Sequence, residues 1–400
     1  MLIMRNEKSG AVIFNNSAGI QINIDNEGKM ALEKWLEKKP VSPEEKKFLS
    51  QTLLKLQYKT GDKYLKKSID SKIPDYPFTV FNSPALVDLQ ITTKCNLNCP
   101  HCYANAGAGG YHLPFKDIEK ILGQCAELGV LEIALGGGEP TLHPDFRKIL
   151  KAARAKGIVP NLAANGFSPG ILNIAAISKY AGAAALSLEG IEDDFSRRRN
   201  FSFSRFLRTY WLLKKAKVKV VFQLTVSQTN LYKLPEIIKF CLGLKPYGIV
   251  LLTYKPVGRA KSFDAPLKNE DFFRVEEILK EALSQSSGTT RFGYDCCLGN
   301  ALQGLGAAKG IAIEGCSALR TSLAINANLD IVPCSFSSRV LGNFSNISIH
   351  EAWQGEKAKA WRDGFTARIQ NDPACASCRT NNDCLGGCPE FSLVSCAFKK

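Results

Sequence analysis

The sequence lacks any apolar run that approaches the ~20 residues of a membrane-spanning helix. Its first residues, "MLIMRNEKSG", contain a basic residue but are not followed by the apolar segment of a secretion signal. Disulfides persist in oxidising compartments, so 14 cysteines in a chain without such a signal favour metal binding or redox chemistry over a disulfide framework. We therefore expect a cytoplasmic protein in a reducing compartment, without a membrane partner.

Histidine is also scarce, with four residues in the chain. His101 lies between two cysteines, where it suits packing and the tuning of a metal centre equally well. His112, His143 and His350 offer no constellation in the sequence. Metal chemistry is therefore expected from the cysteines.

Acidic residues are outnumbered, since 52 Lys and Arg against 37 Asp and Glu give a formal net charge of +15. The basic residues are spread along the chain, with short clusters such as Lys66–Lys67 and Arg197–Arg199. A solvated basic surface is the simpler interpretation. A specific groove for nucleic acid, an acidic peptide or an anionic small molecule is the alternative.

The middle of the chain alternates short β-rich runs with segments of helical periodicity. Near-continuous apolar strands joined by crossover helices predict a parallel sheet, and a ring or partial ring would gather functional residues at the strands' C-terminal ends. Six such βα units are predicted between residues 84 and 269, with the strands "ALVDLQIT", "LEIAL", "IVPNLAA", "AAALSL", "VKVVFQLTV" and "GIVLLTY". The fold class is therefore predicted as α/β with a partial (β/α)6 barrel.

Residues 1–80 have a different pattern. "GAVIFN" and "GIQINID" predict paired strands, and helices follow near 28–39 and 43–58. Ser42, Pro43 and Glu45 form a helix start with a capping box. The segment predicts a small α+β unit, followed by the proline-containing linker "SKIPDYPFTVFNSP".

Cys95, Cys99 and Cys102 lie within eight positions, after the first predicted barrel strand. The spacing C-x3-C-x2-C on a loop brings three sulfurs round one centre, as in iron–sulfur proteins. Four irons with three protein ligands leave one iron open, and an open position is what a metal uses to hold a substrate or cofactor. Three buried or zinc-bound thiols are the alternative.

The stretch "CNLNCPHCY" resembles the cysteine motif of the radical S-adenosylmethionine (radical SAM) enzymes. The resemblance implies that the three cysteines hold a [4Fe-4S] cluster whose open iron is chelated by the methionyl amino and carboxylate groups of S-adenosylmethionine. It also implies cleavage of that cofactor to methionine and a 5′-deoxyadenosyl radical, which abstracts hydrogen from the substrate. Tyr103 would lie near the cluster.

A glycine-rich turn, "LGGGEP", follows the second predicted strand. It resembles the family motif that meets the amino group of the cofactor. Gly137 and Gly138 would permit close backbone approach, and Glu139 can accept from an ammonium group.

Later strand ends carry further marks of the family. "AANG" with Asn165 and "LSLEG" with Ser187 and Glu189 resemble motifs whose polar groups meet the ribose. Arg199 in "RRRNFSF" resembles an arginine that pairs with the methionyl carboxylate. Asn200 stands where glycine usually follows, which leaves the choice among the three arginines open, and a solvated charge run is the alternative.

From about residue 285 the chain is rich in Cys, Gly, Ser and Asn, and something other than a large core must hold it together. The stretch "CASCRTNNDCLGGCPEFSLVSC" resembles the SPASM extension, the auxiliary-cluster domain of radical enzymes that act on peptides and proteins. A zinc ribbon is the alternative for its four-cysteine part. Leu329 occupies a position where glycine usually precedes the second upstream cysteine.

The SPASM resemblance implies two auxiliary clusters. One would be held by Cys375, Cys378, Cys384 and Cys396, and the other by Cys316, Cys334 and Cys388 with a fourth ligand from Cys297 or Cys296. If neither reaches, an open iron remains that could bind the substrate. Cys125 and Cys241 lie in helical patterns and are expected in the core.

The resemblance implies a precursor peptide as substrate and an electron donor such as flavodoxin or ferredoxin. The N-terminal unit loosely resembles the small winged-helix module that recognises leader peptides by adding them as a strand, and a plain cap on the barrel is the alternative. In sulfatase maturases an aspartate that serves as base follows the cysteine matching Cys334. Here Ser335 stands in that place, which leaves no obvious general base.

We therefore expect a leader-recognition or capping unit (1–80), a radical SAM partial barrel (84–285) and a SPASM domain (286–400). The predicted activity is a thioether or carbon–carbon cross-link, or an epimerisation for which Cys296 or Cys297 could donate hydrogen. A sulfatase-maturase-like enzyme and an oxidase of a small molecule such as a haem precursor are the alternatives among enzymes. An iron–sulfur nucleic-acid-binding protein is the alternative outside them, and its affinity would fall steeply with salt.

Overall fold

The structure is a computed structural model of the 400-residue chain. It describes residues 1–391 except 60, 168–169, 264–265, 287, 289, 302–314 and 379–380. Cys396, a predicted cluster ligand, lies outside the described residues. Among the described residues, no helix has both the length and the apolar character to cross a bilayer.

The N-terminal unit is a four-stranded sheet with two helices on one face. Its strands are β1 (Leu2–Glu7), β2 (Gly10–Asn15), β3 (Ile20–Ile24) and β4 (Tyr64–Ser68), in the order β3-β2-β1-β4, and its helices are α1 (Asn26–Leu36) and α2 (Pro43–Lys55). The first three strands pair antiparallel, and β4 pairs parallel with β1. The predicted capping box of α2 is present, with Ser42 and Glu45 bonded reciprocally.

The sequence pattern missed β1 and β4. β1 reads "LIMRNE", and its Arg5 and Glu7 are buried, so a polar-looking pattern conceals a strand covered on both faces. β4 is an exposed edge strand with the sequence "YLKKS", which has no apolar alternation to detect.

The barrel sheet is continuous over ten strands. All six predicted βα strands are confirmed as parallel neighbours: β5 (Leu86–Thr92), β6 (Glu132–Gly137), β7 (Val159–Ala164), β8 (Ala184–Ser187), β9 (Val220–Val226) and β10 (Gly248–Thr253). β11 (Arg291–Tyr294) adds in parallel to β10. On the other side β12 (Ser322–Ile325) adds in parallel to β5, followed antiparallel by β13 (Asp330–Val332) and β14 (Gly342–Asn343). These four short strands were not predicted.

Helices cover the outside of the barrel sheet. They are α3 (Phe115–Glu127), α4 (Phe146–Ala155), α5 (Ile171–Tyr180), α6 (Glu192–Arg199), α7 (Phe203–Lys215), α8 (Gln228–Leu231), α9 (Leu234–Leu244) and α10 (Asn269–Gln285). Alternation along β5 explains the two layers, because Val87, Leu89 and Ile91 are buried in the helix-facing core while Asp88 and Gln90 line the interior. Cys125 on α3 and Cys241 on α9 are core residues, as predicted.

The cysteine-rich C-terminal third follows the barrel. It contains α11 (Cys296–Ala301), α12 (Ile349–Gln354), α13 (Glu356–Asn371), α14 (Pro373–Ala376) and α15 (Asn381–Cys384). Trp353 and Phe365 join the barrel's own core, and Trp353 Nε1 donates to Phe81 O at 3.1 Å. This third of the chain therefore packs on the barrel instead of standing apart.

The N-terminal sheet packs against the end of the barrel at which the barrel strands begin. Ile3, Val12 and Phe14 share one apolar cluster with the residues that precede or start β5, β6 and β7. Arg5 is fully buried and donates from Nη1 to Pro84 O at 2.9 Å and to Gly129 O at 3.0 Å. The functional end of the barrel, where the strands finish, is thus opposite the docked sheet.

Candidate active site

The loop after β5 carries Cys95, Cys99 and Cys102 into the mouth of the barrel. Two N–H groups point at the Cys95 sulfur, from Leu97 N at 3.4 Å and Asn165 Nδ2 at 3.7 Å. Burial raises the pKa of Cys95 and raises that of Cys99 to about 11. Thiols in this setting become thiolates when a cation binds them, which suits a metal centre.

A segment beyond β10 holds the cysteine loop in place. Arg259 donates from N to Cys102 O and from Nε to Cys99 O, each at 3.1 Å. Gly258 has a φ of 63°, and a Cβ there would lie 2.3 Å from Tyr103 O. Glycine is therefore required for this contact. The sequence did not indicate that the segment "KPVGRA" after β10 contacts the cysteine loop.

The glycine-rich turn after β6 packs against the backbone that leads from β5 into the cysteine loop. A Cβ on Gly137 would lie 2.3 Å from Thr92 O, and one on Gly138 would lie 2.1 Å from Lys94 O. Gly138 N donates to Thr92 O at 2.7 Å. The close approach that the glycines permit is thus to the backbone leading into the cysteine loop, while both also line the cavity described next.

A cavity of about 390 Å³ opens at the C-terminal ends of the barrel strands. Small-molecule and cofactor sites have volumes of about 300–1,000 Å³. Ten of the eleven residues predicted to bind the first cluster or S-adenosylmethionine line it: Cys95, Cys99, Cys102, Tyr103, Gly137, Gly138, Asn165, Ser187, Glu189 and Arg199. The sequence-predicted residues therefore converge on one chamber.

Glu139 is the predicted residue that does not line this cavity. Its carboxylate accepts from Asn165 N at 2.8 Å and from Thr141 N and Oγ1 at 3.2 and 2.5 Å. Those bonds tie the end of β6 to the end of β7. Glu139 thus supports the wall, and Asn165 reaches the cysteine loop through Asn96 Oδ1 at 2.9 Å.

Arg199 and Glu189 form a buried bidentate ion pair in the cavity wall, at 2.5 and 2.6 Å. Burial acts to raise the pKa of Glu189, but Arg199 and His101 outweigh it, so the pKa is lowered and the carboxylate is charged. His101 Nε2 lies 3.7 Å from Glu189, and burial lowers its pKa to about 4. The Arg199 guanidinium also interacts electrostatically with the Cys99 and Cys102 sulfurs, so one cation lies beside the triad.

The three consecutive arginines have different environments. Arg197 pairs with Asp194 and Arg198 bonds Thr229, both on the surface, whereas Arg199 is buried in the cavity wall. Asn200 ends α6 in the left-handed conformation, with φ 49° and ψ 45°. The residue that replaces the usual glycine therefore adopts a glycine-like backbone, which asparagine tolerates.

Leu329 is a parallel case before Cys334. Its φ is 68°, in the left-handed region that favours glycine. Its N–H and C=O bond Asn326 O and Phe344 N at 2.9 and 2.8 Å, so the turn keeps its shape despite the side chain.

Five cysteines of the C-terminal third come together beside the cavity. Cys296 is in hydrogen-bonding contact with Cys297, Cys316 and Cys388, and these bonds hold its pKa well below the usual value. Cys388 also contacts Cys297, and its charge acts on Cys334. Both Cys296 and Cys297 thus reach the predicted first auxiliary site, and either can supply the fourth thiolate.

The other predicted auxiliary set lies on two short helices. Cys375 is on α14 and Cys384 on α15, and Cys378 N donates to Cys375 O at 3.0 Å. Within the described residues, no three His, Cys, Asp or Glu side chains are arranged around a single ion. Iron–sulfur clusters are held by thiolates, and both predicted auxiliary sets consist of thiols.

His112 and His143 are neighbours in space, which the sequence did not indicate. Their rings lie 5.1 Å apart, and His112 Nδ1 is 2.9 Å from Thr92 Oγ1. His143 Nε2 contacts Leu113 O at 2.8 Å. These bonds brace the segment that returns from the cysteine loop to α3.

Three charged side chains of the cavity were missed by sequence analysis. Lys255 and Asp295 form a buried ion pair, and Asp295 also accepts from Thr253 N at 3.0 Å. Asp88 faces the cavity from β5 and accepts from Ser335 Oγ at 3.3 Å. The alternation of β5 could have indicated Asp88, because its inward position puts a carboxylate among apolar neighbours.

Comparisons with known proteins agree with this geometry. Residues 89–241 match the radical SAM superfamily, and residues 316–379 match the SPASM iron–sulfur cluster-binding domain. Among solved structures, Streptococcus suis SuiB bound to precursor peptide SuiA has a TM-score of 0.72 at 19% identity, covering 97% of this chain and 94% of that chain. At this identity the likeness concerns the fold, and it extends over the N-terminal unit.

Curated relatives are similar at 24–28% identity. The AdoMet-dependent heme synthase of Oleidesulfovibrio alaskensis is 26% identical, over 76% of this chain and 83% of its own length. The mycofactocin maturase MftC of Mycobacterium tuberculosis is 24% identical, over 77% and 78%. The PqqA peptide cyclase of Bradyrhizobium diazoefficiens is 28% identical, and the match spans 45% of its length. With its cysteine triad, its glycine turn and its two matched domains in order, the chain is a radical SAM enzyme with a C-terminal SPASM domain.

Proposed function

We propose that this enzyme modifies a residue of a ribosomally made precursor peptide by hydrogen abstraction. The observation that carries the proposal is that one cavity is lined both by the cysteine triad and by Ser335 and Phe336, which directly follow Cys334. A substrate in that cavity would contact the radical source and lie beside an auxiliary cluster. The likeness to peptide maturases supports a peptide as the occupant.

The residues present fit the implied groups. When bound, a reduced [4Fe-4S] cluster and S-adenosylmethionine supply a 5′-deoxyadenosyl radical that abstracts hydrogen. Cys95, Cys99 and Cys102 would hold that cluster, and Arg199 offers its guanidinium to the methionyl carboxylate. Ser187 and Asn165 present polar groups to the rest of the cofactor.

Two auxiliary clusters are proposed beyond the first. Cys316, Cys334 and Cys388 with Cys296 or Cys297 would hold one, and Cys375, Cys378 and Cys384 with Cys396 the other. A reducing protein such as flavodoxin or ferredoxin would deliver the electron.

Residues 1–80 would bind the leader of the peptide. β3 is an edge of the N-terminal sheet, and Ile20, Ile22 and Ile24 turn inward while Gln21 and Asn23 are exposed. An edge of this kind can accept an added strand. The N-terminal sheet is fixed to the barrel through Arg5, so a bound leader would be held at a constant distance from the cavity.

Oxidation of a haem precursor or another small molecule is the second candidate, because the heme synthase relative covers most of both chains. The two candidates differ in their need for the N-terminal sheet. Removal of residues 1–80 should abolish modification of a peptide and leave small-molecule turnover intact.

The test is mass spectrometry of small peptides from the producing cells after anaerobic incubation with reconstituted enzyme, reductant and S-adenosylmethionine in deuterated buffer. Loss of two hydrogens from one peptide would indicate a cross-link or dehydrogenation, and uptake of one deuterium at an α-carbon would indicate epimerisation. Formation of 5′-deoxyadenosine without any change in a peptide would contradict the proposal and favour the second candidate.

Cys99→Ala serves as the negative control of this assay, and Cys95→Ala or Cys102→Ala should behave alike. Each should abolish formation of 5′-deoxyadenosine. Cys125→Ala, which removes a buried thiol that belongs to no proposed ligand set, is the matched control and should retain it. Intact cofactor cleavage in a triad variant would refute the assignment of the first cluster.

A further inference from the structure

We propose that Asp88 is the proton acceptor of an oxidative step that completes the peptide modification. The proposal rests on the proposed function and deepens it, because it selects a product that has lost two hydrogens over an epimerised one.

Among the described residues that line the cavity, three are carboxylates. Glu189 is bonded to Arg199, and Asp295 is bonded to Lys255. Asp88 has Ser335 Oγ as its hydrogen-bond partner and is paired with no cation in this lining. A carboxylate that lies in a cavity and that no cation neutralises is costly to the fold, and such groups are typical of acid–base sites.

The surroundings of Asp88 keep it ready to take a proton. Burial raises its pKa to about 6, and the Ser335 hydrogen bond opposes that rise. Asp88 is half-buried, because part of its side chain faces the cavity. The other ionisable groups that face it are Tyr103 and Cys334, whose charges interact with it, and the Lys255–Asp295 pair of the same lining.

Asp88 lies close to the proposed auxiliary cluster, so a proton and an electron could leave the substrate at the same place. Ser335 donates to Asp88 and directly follows Cys334, the proposed ligand of an auxiliary cluster. The sequence left no base after Cys334, and the structure brings a carboxylate to that point from β5. Proton acceptor and electron acceptor would therefore be neighbours.

The atoms and electrons of the proposed step balance as follows. One hydrogen leaves the peptide as an atom and ends in 5′-deoxyadenosine. The substrate radical then forms its new bond to sulfur or carbon and loses one proton to the Asp88 carboxylate. Its remaining electron passes to the iron–sulfur cluster that Cys334 would hold. The peptide loses two hydrogens, and Asp88 later returns its proton to solvent.

The first experiment compares the wild-type enzyme, Asp88→Asn and Asp88→Glu on the small-peptide fraction of the producing cells. Asp88→Asn should still form 5′-deoxyadenosine but should yield at least tenfold less peptide lighter by two hydrogens for each 5′-deoxyadenosine formed. Asp88→Glu should restore part of that ratio. Asp117→Asn, at a partly exposed carboxylate of α3 that does not line the cavity, is the matched control and should match the wild type.

The second experiment measures thermal unfolding, iron content and S-adenosylmethionine binding of the same proteins. Because the pKa of Asp88 is raised in the folded protein, its charge costs stability as the pH rises above the unfolded value near 3.8, and the cost is complete above about 6. Asp88→Asn should therefore raise Tm at pH 8, by about 2 °C or more, and less at pH 5. Iron content and cofactor affinity should be unchanged.

The outcomes are distinguishable. If wild-type enzyme changes no peptide, the proposed function falls and this role falls with it. If the wild type modifies a peptide and Asp88→Asn does so at the same ratio, only the role of Asp88 is refuted. A lower Tm at pH 8 together with lost iron would make Asp88 a structural residue and would also refute the proposal.

Discussion

Arg5→Met tests whether one buried guanidinium fixes the N-terminal sheet to the barrel. Arg5 donates to Glu7 at 2.6 Å as well as to the two barrel carbonyls, and Glu7 in turn accepts from Asn82 N at 2.6 Å. Burial lowers the pKa of Arg5 and raises that of Glu7, so desolvation outweighs the attraction within the pair. The pair is therefore expected to add little net stability, yet its disruption is expected to be costly.

The magnitude follows from what the substitution leaves behind. Methionine fills a similar volume, but the Glu7 carboxylate and the carbonyls of Pro84 and Gly129 lose their donor in a buried site. Removing one partner of a buried ion pair costs about 3–5 kcal/mol. Since about 1.4 kcal/mol corresponds to a factor of ten, amides of β1 and β2 should exchange roughly 100- to 4,000-fold faster.

Hydrogen exchange read by mass spectrometry over residues 2–15 measures this effect without requiring two-state unfolding of the whole chain. Arg5→Met/Glu7→Gln should recover more than half of the lost protection, because the unpaired carboxylate is gone while the glutamine carbonyl still accepts from Asn82. Lys8→Met, at an exposed side chain just beyond β1, is the control and should exchange like the wild type. Protection of Arg5→Met within about threefold of the wild type would refute the anchoring argument.

Three further predictions concern the cavity. Arg199→Met should weaken S-adenosylmethionine binding at least about tenfold, because one charge-assisted hydrogen bond is lost. Arg197→Met, at an exposed arginine, should leave the affinity unchanged. Equal affinities of the two variants in equilibrium dialysis would contradict the role of Arg199. Asn200→Ala should lower stability by about 1 kcal/mol and Asn200→Gly should not, because alanine is penalised in the left-handed region; thermal unfolding of the two variants decides between them. Gly258→Ala should reduce the iron bound per chain, since its Cβ would collide with Tyr103 O, and full iron content would show that the cysteine loop tolerates displacement.

Much of the site could be predicted from the sequence because its residues lie at strand ends. The six apolar strands were readable from composition and periodicity, and parallel pairing then brought Cys95, Asn165 and Ser187 to one rim. Asn200 and Leu329 departed from the glycine expected there, but each adopts the left-handed backbone of the residue it replaces. The departures therefore changed the side chain and not the turn.

The features that the sequence did not predict depend on contacts between segments that are distant in the chain. Lys255 and Asp295 pair across 40 positions, and Asp88 meets Ser335 across 247. β1 and β4 were missed because one hides charged residues in a buried interface and the other is an exposed edge. Neither kind of contact leaves a local periodic signal.

β5 is shared by the two cysteine-rich halves of the enzyme. It leads directly into the cysteine triad, and β12 of the C-terminal third is hydrogen-bonded along it from Leu86 to Leu89. The spacing of strands in one sheet therefore sets the distance between the cysteine triad and the start of the C-terminal third. A chain cut after residue 285 would lose more than the cysteines of the SPASM domain, because it would also expose the edge of the strand that leads into the cysteine triad.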